Sequence, residues 1–341
     1  MTVLVTGGAG YIGSHMVYAL TDRGEDVIVL DNLSTGFDWA VSPAATLVVG
    51  DIGDAELLNR LFSTHDIDAI IHFAGSIVVP ESVENPLKYY RNNTVNSRTL
   101  MEAAVNAGVK RFIFSSTAAV YGIPEVNPAT EDAPLAPINP YGRSKLMTEW
   151  MLEDVARAHE GFDYVALRYF NVAGADPKGR TGQSTPEATH LIKVACQTAL
   201  GQREKMFIFG DDYDTEDGTC IRDYIHVSDL IAAHVDALDY LRDGGASAVF
   251  NCGYGHGYSV KQVIDTVKRV SGVDFAVEVA PRRAGDPPAL VAAADRIRQT
   301  LNWQPQLDDL EGIVASALAW ERHLQQRNRA DQQATASNTG G

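Results

Sequence analysis

The amino-acid sequence predicts an α/β protein: a doubly wound parallel sheet, followed by a smaller second domain. Three observations carry this reading. A glycine-rich turn directly follows the first apolar run, short β-branched runs alternate with helical patterns through the first half, and the composition shifts near residue 174. Val3-Leu4-Val5 is the first strand, and Gly7-Gly-Ala-Gly-Tyr-Ile-Gly13 follows it and opens an amphipathic stretch. Strand, glycine turn and helix in that order make a seat for a dinucleotide pyrophosphate. Gly7 and Gly10 let the backbone turn sharply and approach the phosphates, Gly13 lets the helix pack closely on the strand, and the positive end of the helix faces the anion. Such turns are common in isolation, so the context decides. The second strand, Val27-Ile28-Val29-Leu30, ends at Asp31, eighteen residues past Gly13, where an acidic residue hydrogen-bonds the adenosine ribose. Asp31 would repel a 2′-phosphate, so the expected cofactor is NAD rather than NADP, in a Rossmann-type fold.

Residues 46–49, 69–73, 111–115 and 165–169 read as further strands, with helical patterns near 54–63, 82–107 and 141–160. In a sheet of this kind ligands lie at the carboxyl ends of the strands. Those ends carry Asp51-Ile52, Phe73-Ala74-Gly75 and Ser115-Ser116-Thr117, which should therefore share one crevice. Residues 174–185 are rich in glycine, proline and polar side chains, as expected where the chain leaves the nucleotide domain. The expected division is an NAD-binding domain over 1–172 and a mainly substrate-binding domain over 173–328. A strand, helix, strand pattern near 221–252 should return to the first sheet. The tail, 329–341, is polar and poor in large apolar residues, and is expected to lack structure. There are no internal repeats.

With 341 residues, 45% of them apolar, the chain has room for one large α/β domain and a companion. The first strand begins so close to Met1 that no secretory leader fits before it, and no apolar run approaches a membrane span. A cytoplasmic protein without membrane partners is expected. The net charge of −16 disfavours nucleic acid and anionic membranes, which need a concentrated basic face. An anionic small substrate must then be gripped by local arginines. Cys196, Cys220 and Cys252 are odd in number and widely spaced, which suits neither a disulfide framework nor a zinc site. His72, His190 and His226 show no ligand spacing, so no metal is expected and they read as structural histidines.

The chemistry concentrates in Tyr141-Gly-Arg-Ser-Lys145, just after Asn139-Pro140 at the start of a helical pattern. Residues four apart share a helix face. Alone, a tyrosine and a lysine at that spacing usually form an amphipathic surface pair; after a dinucleotide turn and Ser115-Ser116-Thr117 they read as machinery. A phenol of pKa ~10 is only about 0.1% ionised near neutrality, so its use as a base requires a downward shift of ~3 units, or ~4 kcal/mol. At an effective dielectric of ~20, one positive charge at 4–6 Å contributes roughly 3–4 kcal/mol, and the candidates are Lys145 and an oxidised nicotinamide. Thr117, Tyr141 and Lys145 thus form a hydroxyl, phenolate and ammonium set. It is suited to taking the proton of a substrate alcohol while hydride passes to NAD.

His72-Phe-Ala-Gly75, Phe114-Ser-Ser-Thr-Ala-Ala-Val-Tyr-Gly122, Leu167-Arg-Tyr-Phe-Asn171, Gly218-Thr-Cys-Ile-Arg-Asp-Tyr-Ile-His-Val227 and Pro281-Arg-Arg-Ala-Gly-Asp286 stand beside the glycine turn and the Tyr141–Lys145 motif. Together they resemble the UDP-glucose 4-epimerase family of extended short-chain dehydrogenases/reductases, from residue 2 to about 325. The resemblance implies reversible inversion at C4 of UDP-glucose and UDP-galactose through a 4-keto sugar, within galactose metabolism. It implies NAD held throughout, and a homodimer formed through the helices near 82–107 and 141–160. Tyr141 resembles the family's base, with Lys145 and Thr117 beside it. The implied NAD contacts are Gly7, Gly10, Tyr11, Ile12, Gly13, Asp31, Asn32, Leu33, Ser34, Thr35, Gly36, Asp51, Ile52, Phe73, Ala74, Gly75, Asn92, Ser115, Tyr141, Lys145 and Phe170. The implied UDP-sugar contacts are Thr117, Tyr141, Asn171, His190, Leu191, Arg222, Tyr224, Arg283, Asp286 and Leu290, and the two arginines meet the demand for local cations.

The chain departs from the family pattern in places. Thr117 stands where Ser is frequent, Ile77 where some members carry a Lys near the cofactor phosphates, and Lys193 where many carry Pro. Leu290 is intermediate between the bulky aromatic and the small residue found at that position beside the sugar pocket. A nucleotide-sugar 4,6-dehydratase shares the fold, but its relatives follow the catalytic Thr with Asp-Glu; here Ala118-Ala119 follow, and the acid and base for elimination are missing. A non-catalytic NAD-sensing protein of the same fold would commonly lose the Tyr or the Lys. UDP-hexoses, their N-acetyl derivatives, UDP-pentoses and UDP-uronates all fit these residues.

Overall fold

The apolar runs at 3–5, 27–30 and 69–71 become strands covered on both faces, because their successive side chains point to opposite sides and both sides are apolar. The computed structural model describes residues 1–185, 188–283 and 286–338. The first strands are β1 (Thr2–Thr6), β2 (Asp26–Asp31), β3 (Thr46–Val49), β4 (Ile67–His72), β5 (Arg111–Thr117) and β6 (Asp163–Tyr169). After them come β7 (Asn171–Ala173), β8 (Lys205–Phe209), β9 (Ile221–Arg222), β10 (Tyr224–His226) and β11 (Ala248–Cys252). β12 (Tyr258–Ser259), β13 (Ala276–Ala280) and β14 (Ala289–Leu290) complete the set. Among the described residues the main sheet is seven-stranded and parallel, in the order β11-β6-β5-β4-β1-β2-β3. The order reverses beside β1, so the crevice between the carboxyl ends of β1 and β4 is where such a sheet binds ligands. Of the pattern near 221–252, β11 joins this sheet, pairing with β6 from Ala248 opposite Val165 to Cys252 opposite Tyr169, whereas β9 and β10 pair elsewhere.

The helices that cover the sheet are α1 (Tyr11–Asp22), α2 (Ala55–Thr64), α3 (Val79–Glu84), α4 (Pro86–Tyr89), α5 (Asn96–Asn106) and α6 (Pro140–Ala158). The later ones are α7 (Leu191–Ala199), α8 (Val227–Arg242), α9 (Val260–Ser271), α10 (Asp295–Leu301) and α11 (Leu310–Asn338). Val3, Val5, Val29 and Ile113 face one core with Met16 and Leu20 of α1 and Leu230 of α8. Leu4, Ile28, Leu30 and Phe112 face the other with Leu58 of α2, Leu100 of α5 and Leu152 of α6. The smaller elements carry the rest of the fold: β7 pairs with β10, β9 lies between β12 and β14, and β8 pairs with β13. No helix among the described residues is long and apolar enough to cross a membrane.

Two expectations change. The helix read over 82–107 is interrupted: α3 stops before Asn85, whose side chain accepts from Lys88 N–H at 3.4 Å, and Tyr90–Val95 form a π-helical turn before α5. Pro86 disfavours a helical residue before it and has no N–H to continue the ladder. The tail read as unstructured over 329–341 instead continues α11 as far as Asn338. Residues 339–341 lie outside the described residues. Ala, Gln and Arg are good helix formers, so a polar segment can extend a helix already nucleated by packing.

Burial holds the imidazoles of His15, His226 and His234 neutral, with pKa values pushed down to about 4, and that of His72 to about 3. These groups are uncharged in the folded chain and charged in the unfolded one below pH 6.5. Their stabilisation is complete above pH 6.5 and is lost as pH falls through about 4. Asp223 and Asp236, raised to about 6 by burial, act in the opposite sense but are fewer. Thermal unfolding followed from pH 7 to pH 4 should show a steadily falling Tm, and His234→Leu should flatten the fall, since one such group is worth roughly 3 kcal/mol at full effect. A Tm that is flat across this window in the wild type would contradict the assignment.

Candidate active site

At the end of β1 the chain turns at Gly7, where φ is +70° and a Cβ would lie 2.6 Å from the backbone nitrogen of Ala74. The turns after β1 and β4 therefore touch backbone to backbone, which only glycine permits. At Gly13 a Cβ would lie 2.1 Å from the Gly7 carbonyl oxygen, so this glycine is required within the turn itself rather than against the strand, as the sequence had suggested. Gly10 begins α1 without a side-chain cap, leaving the positive helix end facing the crevice beside Tyr11 and Ile12.

Asp31 ends β2, and its carboxylate accepts from Ala9 N–H at 2.9 Å and from Leu33 N–H at 2.8 Å. It thereby ties the segment carrying Ser34, Thr35 and Gly36 to the glycine turn. Asn32 donates to Asp51 at 2.9 Å, and Asp51 also accepts from Gly53 N–H and from Asn96, so Asn32, Asp51 and Ile52 gather at one edge. At the other edge, the π-helical turn presents two asparagines to the segment after Phe73-Ala74-Gly75. Asn92 donates to Ser76 Oγ at 3.0 Å, and Asn93 brackets the Ser76 backbone at 2.7 and 2.9 Å. Asn93 was not among the residues singled out from the sequence. An irregular helical turn at a functional site is a recurring arrangement.

α6 supplies the reactive face. Asn139 caps it through Gly142 N–H at 2.8 Å and Pro140 occupies its first turn, which starts the helix just ahead of Tyr141. Lys145, one turn on, is 3% exposed; its Nζ donates to the Ser115 carbonyl at 2.9 Å and lies 4.8 Å from the Phe114 ring centroid. Burial brings this ammonium down to about 8, while the Glu149 carboxylate pulls it up. The Tyr141 phenol is raised above its ordinary value by burial, with the Thr117 hydroxyl opposing. Burial thus outweighs the Thr117 hydroxyl in the chain by itself, so positive charge has to reach the phenol before it ionises near neutrality.

Beneath Thr117 lies a buried network that the sequence reading missed. Arg168 Nη2 donates to Glu149 at 2.6 Å and its Nη1 to the Tyr121 hydroxyl at 3.0 Å; Tyr121 donates to Asn251 at 2.6 Å, and Ser116 to Glu149. Glu149 continues the four-residue stripe begun by Tyr141 and Lys145, a signal that was present in the sequence. This network holds the end of β5 against α6.

On the other side of the crevice, Asn171 opens β7 and donates through its N–H to the Asp223 carbonyl at 3.0 Å, and β10 places Tyr224 opposite it. His190 precedes α7, which begins at Leu191, and its Nδ1 accepts from Gln183 Nε2 at 2.8 Å. Asn171, His190, Leu191 and Tyr224 line one cavity with Lys193 and Trp320. Arg222 stands in register with Leu290 across β9 and β14 and reaches Asp286 at 3.4 Å; the exposed Arg283 lies 3.9 Å over the Phe209 ring. Asp223, also missed, is fully buried and accepts from Tyr254, Gly255 and Ala292 N–H, joining the strands around Arg222. Leu290 and Phe170 pack on Ala118, Val120, Tyr121, Ala129 and Leu146, directly beside Thr117. Ile77 is 53% exposed, and Lys193 is buried against Glu321 at 2.5 Å and the Gln183 carbonyl at 2.7 Å. His72 sits between the hydroxyls of Thr6 and Ser97 at 2.6 and 2.8 Å, and the described residues contain no cluster of three or more metal-ligating side chains.

Removing one partner of a buried ion pair leaves an uncompensated charge, so Glu149→Ala should cost about 3–5 kcal/mol in denaturant unfolding. A loss below ~1 kcal/mol would show that Arg168 does not depend on this carboxylate.

The pattern of the NAD dependent epimerase/dehydratase family matches residues 3–253. A curated UDP-glucose 4-epimerase from Azospirillum brasilense is 64% identical over 324 residues, covering 95% of this chain and 93% of that protein. The solved UDP-Glc/GlcNAc 4-epimerase from Campylobacter jejuni superposes with a TM-score of 0.84 at 54% identity, over 94% of this chain and 99% of its own. The solved UDP-glucose 4-epimerase from Brucella ovis in complex with NAD gives a TM-score of 0.91 at 44% identity, over 93% and 97% respectively.

Proposed function

We propose, from the premise that this chain belongs to the NAD dependent epimerase/dehydratase family, that it interconverts UDP-glucose and UDP-galactose by inversion at C4 with NAD retained through the cycle. The observation that carries this reading is the face of α6, from which Tyr141 meets the Thr117 hydroxyl and Lys145 meets the Ser115 carbonyl, its Nζ 3.7 Å from where a Cβ on Gly75 would lie. The 64% identical relative from Azospirillum brasilense bears the same activity in its name. Ala118 and Ala119, which follow Thr117 in a 3₁₀ turn, carry no titratable group, so a dehydratase reading lacks its acid and base.

The residues fit a bound dinucleotide. A Cβ would fill the backbone cradle at Gly7 and Gly13, the uncapped start of α1 suits the pyrophosphate, and Asp31 stands where the adenosine ribose would be held. NAD, when bound, supplies reversible hydride acceptance and a positive charge. Tyr141 takes the proton of the C4 hydroxyl at its phenolic oxygen and returns it after inversion, while the Thr117 hydroxyl holds the same oxygen in place. Lys145 contributes charge from a dry site and keeps the end of β5 and α6 in register through Ser115. Arg222 and Arg283 grip the diphosphate, the local cations that a protein of net charge −16 requires, and Asn171, His190, Leu191 and Tyr224 form the uridine side. Residues 1–172 serve as the NAD-binding domain and 173–328 mainly as the substrate domain. Tyr141→Phe should keep its NAD, measured after denaturation, while epimerisation falls 10²- to 10⁴-fold, the usual worth of lost acid–base catalysis. Activity within a few-fold of wild type would overturn the role of Tyr141.

Sugar choice is assigned to Leu290. A bulky ring there leaves no room for a C2 acetamido group, whereas the Campylobacter jejuni relative is named for both sugars. UDP-glucose and UDP-galactose should be good substrates and UDP-N-acetylglucosamine a poor one, with Leu290→Tyr suppressing the last and Leu290→Ser improving it. The ratio of kcat/KM values should move roughly ten- to two-hundredfold. Equal ratios in all three proteins would remove Leu290 from the account.

A homodimer is supported by exposed apolar side chains gathered on α3 to α6: Val83, Leu87, Val95 and Trp150, which are 51–77% exposed. Light scattering should report twice the 36.9 kDa chain mass, with Leu87→Glu shifting it toward one; a wild-type monomer would exclude this surface. Three buried free cysteines support a reducing, cytoplasmic setting.

A further inference from the structure

Residues 32–40 follow Asp31 and close over the glycine turn, where Phe37 N–H donates to the Ala9 carbonyl at 3.0 Å. Its first residues are tied to the strand ends through Asn32 to Asp51 and Leu33 N–H to Asp31, whereas its far end is held from outside the sheet. The Trp39 ring lies 5.1 Å from Phe37 and is stacked on Trp320 of α11 at 6.4 Å with 30° between the planes. Trp320, Ala175 and Leu324 form a small apolar cluster of their own, against which Trp39 packs, and the Arg327 guanidinium lies 4.2 Å over Trp39.

The same indole reaches the opposite side of the crevice. A Cβ at Gly182 would lie 2.4 Å from the Trp320 ring, and Trp320 Nε1 donates to Ser184 Oγ at 3.3 Å. The turn leading to Gly182 is fastened to α1 as well, by Tyr11 Oη to the Gly174 carbonyl and by Ser14 to Thr181, both at 2.7 Å. Trp320 thus touches the segment over the adenosine end of the crevice and the segment that precedes His190 and Leu191.

The geometry points to Trp320 as a positioning residue, a latch that fastens residues 32–40 and residues 182–184 to one helix and thereby keeps the dinucleotide from leaving. This rests on the reading that NAD occupies the crevice at Gly7–Gly13. Release of a ligand held under a loop requires that loop to open, and the opening here must separate Trp39 from the Trp320 ring. The aromatic contact adds to the apolar burial that opposes opening. No bond is made or broken, so the effect belongs to retention and not to the chemical step.

The test compares wild type, Trp39→Leu, Trp320→Leu and Trp320→Phe. NAD release is followed by filtration and chromatography of the filtrate, and local opening by amide hydrogen exchange. Trp320→Leu should speed NAD release roughly ten-fold or more and raise exchange in both 32–40 and 182–184, while β1 and β4 exchange as before. Trp39→Leu should raise exchange in 32–40 alone, and Trp320→Phe, which keeps a ring in place, should stay within about three-fold of wild type. The double leucine variant should release NAD about as fast as Trp320→Leu, because the Trp39–Trp320 contact is already lost in the single variant. Unchanged exchange over 32–40 in folded Trp320→Leu and Trp39→Leu would overturn the latch. Wild-type protein that carries no NAD would overturn the resident-cofactor reading instead, and the exchange measurement would still decide the latch.

Discussion

A buried ammonium with no carboxylate at contact distance among the described residues is the constraint around which this site is built. Lys145 is 3% exposed and its Nζ is held by the Ser115 carbonyl, so its charge survives in a dry place on one neutral hydrogen bond and the more distant pull of Glu149. Removing an ammonium from water is expensive, and burial accordingly draws Lys145 down to about 8. The surroundings have to be rigid for that arrangement to persist. Arg168, Tyr121 and Asn251 supply the rigidity by locking Glu149 and the end of β5 to α6. Tyr141 inherits its position from the same helix.

The division of labour between the two sides of the crevice follows from how each side is made. The proposed cofactor side is mostly backbone: the Gly7 turn against Ala74, the start of α1, and carboxylates such as Asp31 and Asp51 that spend much of their hydrogen bonding on N–H groups of adjacent turns. A group that stays bound through every cycle is well served by such a fixed cradle. The proposed substrate side relies on side chains from separate segments, with Asp223 stapling two of them, at Tyr254-Gly255 and at Ala292, to its own through three backbone N–H groups. Arg222 and Asp286 pair at 3.4 Å, a loose contact that a diphosphate can compete with.

Local features were the legible ones. β3 has the bounds expected from its apolar run, the glycine turn joins β1 to α1 as its spacing predicts, and Asn139-Pro140 starts α6 where a cap and a first-turn proline should. Tyr141 and Lys145 share a face for the same local reason. Elements that depend on distant partners were harder to see. Arg168 and Glu149 are nineteen positions apart and pair only because β6 lies beside β5 under α6. Trp39 and Trp320 come from opposite ends of the chain. The interruption at Pro86 was local and could have been read from the proline, whereas the π-helical turn after it has no comparable sequence signature. The helical tail shows that low apolar content does not by itself argue against a helix when an existing one can extend.

The central claim is that burial keeps Tyr141 protonated until the cofactor's positive charge joins Lys145. Titration of phenol absorbance in wild type minus Tyr141→Phe, with and without bound NAD, tests it most directly. The account predicts that Tyr141 titrates above the ordinary phenol value without NAD and moves down by roughly two to three units when oxidised NAD is bound. An identical titration in both states would contradict it.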